Sequence, residues 1–312
     1  MKVGIIGAGA VGGYFGGILQ KSGNEVVFLA RGKNLEAMKA KGLTVEGENE
    51  SFTVQGNFTE RYEDLSDSDL LLFCVKSTET YETALRVKPF LKDGSFILTL
   101  QNGVDNEAIL STVFEKERIF SAASYIQVFS KEPGVVRQIG NSPRLVMGGV
   151  EECQVTAIKE ISTFLNLAGI ETFTTKNITE TKWKKLLWNV TFNSITALLE
   201  TSVGEVLDNP ELKNTAIQIC RESIKVAKSM GVTLGNSACD EILAQGALAR
   251  NHQTSMLQDK LRGKKMEVES ICGFIVKKGR EYNVSTPVLQ TIYHLLKFQD
   301  SRIGSPISEV TT

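Results

Sequence analysis

The chain has 312 residues, 23% of them charged and 42% hydrophobic, which is typical of a folded globular protein and excludes a disordered one. Its net charge of −1 excludes a long-range field that would attract nucleic acid or an anionic membrane, so any anion site must be a local cluster. The length is sufficient for two domains of ordinary size.

The first predicted elements are a short strand, a glycine-rich turn and a helix. The strand contains Val3, Ile5 and Ile6, and the segment 14–21 after the turn can continue as a helix. The turn consists of Gly7, Ala8, Gly9, Ala10, Val11 and Gly12. Its first glycine permits a tight turn, its second removes the Cβ that would keep a pyrophosphate away, and its third lets the helix pack closely on the sheet. Because this motif lies between a strand and a helix, it predicts a dinucleotide site at the helix start.

Further strands are predicted in the first half, in alternation with helical segments. They are Glu25–Leu29, Asp69–Val75 and Ser95–Leu100, with a helix over Thr80–Leu91 and shorter strand-like pieces at Ser124–Phe129 and Arg144–Met147. Asp69–Val75 is a continuous apolar run, as expected of a strand buried on both faces of a parallel sheet. The alternation predicts an α/β fold with a doubly wound sheet of the Rossmann type.

The second half is predicted to be helical. Asn209-Pro210 has the cap and first-turn residues of a helix start, and Met230-Gly231 is its predicted end. Thr286-Pro287 opens the last long helix in the same way. We therefore predict a nucleotide-binding domain over residues 1–176 and an all-helical domain over residues 177–312.

Polar side chains follow the predicted strands at the edge where ligands bind in such sheets. Arg31 follows the second strand, Lys76 the third and Asn102 the fourth. An Asp or Glu in place of Arg31 would accept from the ribose 2′-hydroxyl of NAD, whereas an Arg accommodates a 2′-phosphate, so Arg31 favours NADP(H). The alternatives are a surface arginine, a solvated loop lysine and an ordinary Gln-Asn-Gly turn.

A polar stripe is predicted near the start of the second domain. Lys185, Asn189 and Asn193 are spaced by four residues, so on a helix they lie on one face. Asparagine is an unfavourable choice for a purely structural helix surface, so a functional role is one interpretation of the stripe. The alternative is a solvated, lysine-rich face that tolerates two asparagines.

Several other residues are ambiguous from their pattern alone. Ser255 lies in a polar segment, and Glu267 lies near the start of an apolar helix, where its carboxylate also complements the helix dipole. His252 fits a hydrogen-bonded surface histidine as well as a catalytic one. Trp183 and Trp188 are predicted to pack the domain rather than to stack on a cofactor.

No membrane span and no metal site are expected. The longest apolar runs, Leu70–Val75 and Ile271–Val276, are too short to cross a bilayer, and the two histidines, His252 and His294, are not at ligand spacing. The five cysteines are Cys74, Cys153, Cys220, Cys239 and Cys272. They contain no Cys-x-x-Cys pair, and no basic leader precedes the first strand, which together predict a cytoplasmic protein with reduced thiols.

Taken together, these segments resemble the ketopantoate reductase (2-dehydropantoate 2-reductase) family over nearly the whole chain. The matching blocks are Gly-x-Gly-Ala-Val-Gly, Arg31, Cys-Val-Lys76, Gln-Asn102-Gly, Lys185-x-x-x-Asn189-x-x-x-Asn193, and Ser255-Met-Leu-Gln-Asp followed by Glu267. The resemblance implies that the first domain binds NADPH and that the helical domain closes over a small 2-oxo acid.

The resemblance also implies roles for individual residues. Lys185 and Glu267 would be catalytic, and Asn189, Asn193 and Ser255 would hold the substrate. The glycine turn from Gly7 to Gly12, together with Arg31 and Lys76, would contact the cofactor, and Asn102 would lie between cofactor and substrate. The segment Thr201–Glu205 matches the family poorly, so a substrate contact there stays open.

The implied activity is the reduction of 2-dehydropantoate to (R)-pantoate, in pantothenate and coenzyme A synthesis, with Lys185 as general acid. Two alternatives stay open: an NADP-dependent reductase of another branched 2-oxo acid or 3-hydroxy acid, and a non-catalytic NADPH-binding regulator. A regulator needs only the cofactor contacts. The presence of the catalytic and substrate-holding set, Lys185, Asn189, Asn193, Ser255 and Glu267, therefore argues against a regulator. A homodimer through the helical domain also stays open, although no sequence feature supports it.

Overall fold

The computed structural model describes residues 1–48, 50–151 and 154–303. Cys153 and the predicted end of the second domain, residues 304–312, lie outside the described residues. The chain divides into two compact units, Met1–Thr181 and Lys182–Thr312. The division falls within one helix, which spans Ile178–Trp188.

The described strands all belong to the first unit. They are β1 Val3–Ile6, β2 Val26–Leu29, β3 Leu43–Glu46, β4 Ser51–Val54, β5 Asn57–Thr59, β6 Leu70–Phe73, β7 Phe96–Thr99, β8 Ile119–Tyr125, β9 Val128–Glu132, β10 Val135–Gln138, β11 Arg144–Gly149 and β12 Glu171–Thr174. The helices within this unit are α1 Ala10–Lys21, α2 Gly32–Lys41, α3 Thr80–Val87, α4 Asn106–Leu110 and α5 Val155–Leu167.

Eight of the strands form one sheet in the order β12-β11-β8-β7-β6-β1-β2-β5. Neighbouring strands are parallel throughout, except that β11 runs antiparallel to β8. From β1 the chain adds β2 on one side and later β6 on the other, so the strand order reverses at β1. The prediction of a doubly wound sheet is confirmed, and the reversal marks where ligands bind in sheets of this class.

The central strands are buried on both faces, as their apolar sequences predicted. Ile5 in β1 belongs to a core that includes Phe15 of α1, whereas the next residue, Ile6, belongs to a second core that includes Ala84 of α3. Successive side chains of a strand point to opposite faces, so each central strand contributes to both cores. This burial fixes the register of the sheet, and with it the position of each strand end.

Three details of the first unit differ from the predictions. A second sheet, in the order β4-β3-β10-β9, was not predicted. The predicted strand Ser124–Phe129 is wrong as a single element, because β8 ends at Tyr125 and β9 begins at Val128. The predicted helix Thr80–Leu91 ends at Val87 and continues as a 3₁₀ turn over Lys88–Phe90, where Pro89 cannot donate to a regular helix.

Over the described residues 182–303, the second unit consists of helices and the loops that connect them. The helices are α6 Ile178–Trp188, which begins in the first unit, α7 Ser194–Leu199, α8 Val203–Asp208, α9 Pro210–Ser229, α10 Ala238–Leu248, α11 Ser255–Leu261, α12 Phe274–Glu281 and α13 Pro287–Arg302. Two π-helical turns, Asn189–Asn193 and Glu269–Gly273, precede α7 and α12. The predicted starts of α9 and α13 are confirmed, and the Asn209 side chain accepts a hydrogen bond from the Leu212 amide at 2.9 Å.

The two tryptophans pack within the helical unit, as predicted. Trp183 is 2% exposed, and its ring lies 6.0 Å from that of Phe274. The ring of Trp188 lies 4.7 Å from that of Phe192. Among the helices that the structure describes, none combines the length and the hydropathy that a membrane crossing requires.

Candidate functional site

The glycine turn after β1 has the shape that its sequence predicts. Gly7 has a φ of +95°, and a Cβ there would come within 2.9 Å of the Val75 backbone nitrogen. A Cβ on Gly12 would collide with the Gly7 carbonyl oxygen and approach Ile5 Cγ2 to 2.9 Å. Both positions therefore require glycine for the fold itself, since one adopts the left-handed conformation and the other lies where helix and strand touch.

Gly9 differs from these two glycines, because a Cβ built on it would meet no atom within 4 Å. The open space lies beside the first turn of α1. Gly9 is the N-cap of this helix and has no side chain that could cap the N–H groups. Backbone N–H groups at such a helix start bind phosphates, and the space is a cradle that a side chain would fill.

Four adjacent strand ends bring the predicted cofactor residues to one edge of the sheet. The neighbours β7, β6, β1 and β2 are parallel, and their carboxyl ends lead to Asn102, Lys76, the glycine turn and Arg31 respectively. Lys76 is exposed and Asn102 is half-buried. The predicted adjacency of these strand ends is confirmed.

Arg31 lies at the N-cap of α2, and its side chain is 79% exposed. Its Nη2 donates to Glu79 Oε1 at 2.6 Å. The first turn of α2 is fixed by Asn34, whose Nδ2 donates to the Ala8 carbonyl at 2.8 Å and whose Oδ1 accepts from the Gly134 amide at 2.9 Å. Arg31 is thereby held beside the glycine turn.

A buried polar network joins the loops that carry Lys76 and Asn102. The Gln101 side chain donates to the Thr80 hydroxyl at 2.8 Å and to the Val75 carbonyl at 2.9 Å. The Thr80 hydroxyl lies 2.9 Å from Asn106 Oδ1, and Asn106 Nδ2 donates to the Asn102 carbonyl at 2.7 Å. Because buried polar groups are costly when unpaired, this network fixes both loops.

These features fit a dinucleotide. The cradle at Gly9 and the start of α1 suit a pyrophosphate, and the guanidinium of Arg31 suits a further anion near the adjacent strand end. A separate cavity of about 270 Å³ in the first unit is lined by Tyr14, Pro143 and Glu171 among others, and by none of the predicted site residues. No group of three or more metal-ligating side chains occurs in the described ranges 1–48, 50–151 and 154–303.

In the second unit, Lys185 occupies a partly buried position on α6. Burial and the neighbouring charge of Lys182 lower the pKa of Lys185 to about 8, while the carboxylate of Glu267 opposes this shift. Lys182 is itself only 5% exposed. The carboxylate of Glu267 thus acts electrostatically on the Lys185 ammonium, although the two residues are far apart in sequence.

The two asparagines of the predicted stripe are buried. Asn189 is 7% exposed and Asn193 is 1% exposed, so a solvated face is the wrong interpretation for them. Asn193 Nδ2 donates to the Ser255 hydroxyl at 3.4 Å, which joins two blocks that the sequence separates by 62 residues. Ser255 begins α11, and the Thr254 before it caps that helix and lies 2.8 Å from the Thr196 hydroxyl.

The stripe is not a continuous α-helix. Lys185 lies on α6, but Asn189–Asn193 forms a π-helical turn, with a wider ring of backbone hydrogen bonds. This turn contacts the second π-helical turn, Glu269–Gly273, which begins two residues after Glu267. π-helical turns within helices are frequent at functional sites.

The ambiguous residues outside this cluster have structural partners. Glu205 accepts from the Ser202 amide at 2.8 Å and from the Thr201 hydroxyl at 2.7 Å, and these bonds lower the pKa of Glu205 to about 2. The Thr201–Glu205 segment is therefore a capping box for α8. The ring of His252 lies 6.1 Å from that of Trp188, and burial lowers the pKa of this histidine.

Four residues at these sites were not identified from the sequence. Glu79 was not identified, because its meeting with Arg31 depends on two strand ends coming together. Thr80 and Asn106 were also missed, although a polar residue at a position that proves fully buried requires a partner. Lys182 was missed as well, because only its burial reveals its electrostatic effect on Lys185.

Comparisons with known proteins cover both units. A family model described as ketopantoate reductase PanE/ApbA matches residues 3–152, and the model of its C-terminal region matches residues 177–300. A 2-dehydropantoate 2-reductase from Pyrococcus horikoshii is 31% identical, over 97% of this chain and 99% of that protein. A 2-dehydropantoate 2-reductase from Archaeoglobus fulgidus is 33% identical, over 96% of this chain and 98% of that protein. The crystal structure of a PanE/ApbA family ketopantoate reductase from Ralstonia eutropha JMP134 matches with a TM-score of 0.88 and 29% identity, over 97% and 99%.

Proposed function

Because the chain belongs to the ketopantoate reductase family, whose members are oxidoreductases, we propose that it reduces 2-dehydropantoate to (R)-pantoate with NADPH. The product is an intermediate of pantothenate and coenzyme A synthesis. The proposal assigns cofactor binding to the strand ends of the first unit. It assigns proton transfer and substrate binding to the polar cluster of the second unit.

The residues at the strand ends would hold the cofactor. The N–H groups at the start of α1 and the cradle beside Gly9 would take the pyrophosphate, and Arg31 would take the 2′-phosphate. Lys76 and Asn102 would bind the cofactor at the next two strand ends. When bound, the reduced nicotinamide supplies the hydride that reaches the carbonyl carbon of the substrate.

Lys185 is the proposed general acid. Reduction of a ketone leaves a developing alkoxide oxygen, and Lys185 Nζ would donate a proton to it. A pKa of about 8 suits this role, because the group is protonated near neutral pH and gives up its proton readily. Its positive charge would also stabilise the alkoxide before the proton moves.

The neighbours of Lys185 would hold the substrate. Glu267 would orient the ammonium and accept a hydrogen bond from the terminal hydroxyl of 2-dehydropantoate. Asn193 and Ser255, which are hydrogen-bonded to each other, would bind the carboxylate together with Asn189.

One observation carries the proposal: buried amides of Asn189 and Asn193 lie in an apolar helical unit that also holds the lysine of lowered pKa. Burying such groups destabilises a fold unless they gain partners, so their presence supports a binding role. A non-catalytic regulator would need the cofactor residues of the first unit but not this cluster. The cluster therefore favours an enzyme over a regulator.

The proposal is tested by mixing the purified protein with NADPH and 2-dehydropantoate and following the loss of reduced-cofactor absorbance. Pyruvate, 2-oxoisovalerate and 2-oxoisocaproate form the comparison panel, and each is repeated with NADH. We expect the highest kcat/KM for 2-dehydropantoate with NADPH. A higher value for another 2-oxo acid would contradict the substrate, and a preference for NADH would contradict the cofactor.

The general acid is tested in the same assay with Lys185→Ala. Loss of one preorganised donor to a developing oxyanion typically lowers kcat by about 10²–10³-fold. We expect a loss of this size, with the affinity for NADPH unchanged. Lys184→Ala is the matched control, because Lys184 is an exposed neighbour on the same helix. Near-normal turnover by Lys185→Ala would remove this lysine from the acid role.

A further inference from the structure

Arg31 has an ion-pair partner at the edge of the sheet. Its guanidinium donates to Glu79 Oε1 at 2.6 Å, and the side chains of the two residues are 79% and 37% exposed. Arg31 follows β2, whereas Glu79 ends the 3₁₀ turn Ser77–Glu79 that follows β6. Because β1 lies between β2 and β6, this ion pair spans the edge of the sheet beyond the glycine turn.

The backbone on both sides of the ion pair is fixed. The Glu79 amide donates to the Lys76 carbonyl at 2.8 Å, and the next residue, Thr80, is fully buried in the polar network described above. On the other side, Asn34 ties the start of α2 to the Ala8 carbonyl. The folded chain thus presents a carboxylate to the only side chain assigned above to the 2′-phosphate.

We propose that Glu79 is a specificity-determining residue, because its carboxylate competes with the 2′-phosphate of NADP(H) for the guanidinium of Arg31. This inference rests on the proposed use of NADPH. A 2′-phosphate must take over hydrogen bonds that Glu79 accepts from Arg31, and its negative charge must come close to a carboxylate. NAD(H) has a 2′-hydroxyl instead, which carries no charge and can donate to Glu79.

It follows that Arg31 alone does not set the preference between the two cofactors. The Glu79 carboxylate lowers the affinity for the 2′-phosphorylated cofactor, and it leaves the affinity for the other cofactor unchanged or slightly higher. Substituting Glu79→Gln removes the competing charge but keeps a side chain of the same size. The variant will therefore favour the 2′-phosphate more strongly than the natural chain does.

The inference is tested by calorimetric binding of two probes that differ only in the relevant phosphate, adenosine 2′,5′-bisphosphate and adenosine 5′-monophosphate. We expect Glu79→Gln to bind the bisphosphate about fivefold more tightly than the natural chain, as when an exposed ion pair stops competing. We expect the monophosphate affinity to change by less than about twofold, and the gain to shrink as salt is added. Equal or weaker bisphosphate binding by Glu79→Gln would overturn the proposal.

Two further variants complete the design. Glu82→Gln is the matched control. Glu82 and Arg86 both lie on α3 and form an exposed ion pair at 2.5 Å, away from Arg31. It should leave both affinities unchanged. In an Arg31→Gln background, Glu79→Gln should no longer improve bisphosphate binding, because the shared guanidinium is gone. A gain that persists there would show that Glu79 acts on the phosphate without Arg31 and would overturn the competition.

The same measurements separate this inference from the proposed cofactor. If the natural chain and Glu79→Gln both bind the two probes equally, the assignment of NADPH fails and the competition fails with it. If the natural chain prefers the bisphosphate and Glu79→Gln does not increase that preference, NADPH stands and only the role of Glu79 is overturned.

Discussion

The ammonium group of Lys185 is subject to opposing influences within the helical unit. Burial and the positive charge of Lys182 lower its pKa, the carboxylate of Glu267 raises it, and the result is a pKa of about 8. A general acid is most effective when its pKa lies near the operating pH. Burial and the two charged neighbours therefore together set the pH range in which Lys185 can act.

The first prediction concerns the pH dependence of kcat/KM, which reports ionisations of the free enzyme. Because the protonated form of Lys185 is the proposed acid, kcat/KM should be constant below pH about 8 and fall as the pH rises past that value. Lys182→Met removes a charge that lowers the pKa, so the fall should move to higher pH. Glu267→Gln removes a charge that raises the pKa, so the fall should move to lower pH. Steady-state kinetics across this range measures both shifts.

Lys184→Met is the control for this series, because Lys184 is exposed and its charge is screened by solvent. Its pH profile should coincide with that of the natural chain. If Lys182→Met and Glu267→Gln both leave the alkaline limb in place, the group that titrates there is not Lys185.

The elements that carry the site owe their geometry to contacts between segments distant in sequence. The spacing of Lys185, Asn189 and Asn193 predicted one face of a continuous helix, whereas the structure has an α-helix that ends at Trp188 and a π-helical turn over Asn189–Asn193. It could not predict the π-helical turn at Asn189–Asn193, because that turn packs against a second one more than seventy residues later. The small sheet that contains β3 and β10 was missed for the same reason, since these two strands of four residues each pair across about ninety residues.

The loops after β6 and β7 provide a prediction at this scale. The Thr80 hydroxyl donates to Asn106 Oδ1 or the Ser77 carbonyl and accepts from the Gln101 side chain. Thr80→Val keeps the shape but removes the hydroxyl, which leaves buried groups unpaired at a cost of about 1–3 kcal/mol each. We expect a loss of unfolding free energy within that range, together with weaker NADPH binding, measured by denaturant titration and by cofactor fluorescence.

Thr112→Val is the matched control for the loop prediction. The Thr112 hydroxyl donates to the Ile109 carbonyl on an exposed surface, so its loss should change the free energy of unfolding by less than about 0.5 kcal/mol. A Thr80→Val protein with normal stability and normal cofactor affinity would show that the network does not hold the two loops.

At the scale of the whole molecule, sequence reasoning predicted the architecture better than the details of the sites. Strands such as β6, which are buried on both faces, are continuous apolar runs in the sequence, and their alternation with helical segments predicted the doubly wound sheet. The pairing of Arg31 with Glu79 and the burial of Lys182 depend on where chain segments meet in space. Local patterns carry no information about such meetings, so these residues emerged only from the structure.

Two glycines of the turn should affect the free energy of unfolding in different ways, because one is required by the fold and the other by the cofactor. A Cβ on Gly12 would collide with the Gly7 carbonyl oxygen and crowd Ile5, so Gly12→Ala should destabilise the cofactor-free protein by about 1–3 kcal/mol. A Cβ on Gly9 meets no atom within 4 Å, so Gly9→Ala should destabilise the cofactor-free protein much less than Gly12→Ala does.

The two glycines should respond differently when NADPH is added. At a concentration one hundred times its Kd for the natural chain, NADPH should raise the free energy of unfolding by about 2.7 kcal/mol. Gly9→Ala should lose at least about 1 kcal/mol of this gain, because each tenfold loss of affinity removes up to ~1.4 kcal/mol. Denaturant titrations with and without NADPH measure the difference. A full gain in Gly9→Ala would mean that the pyrophosphate does not occupy the cradle, since the added methyl group fills the space that the phosphates require.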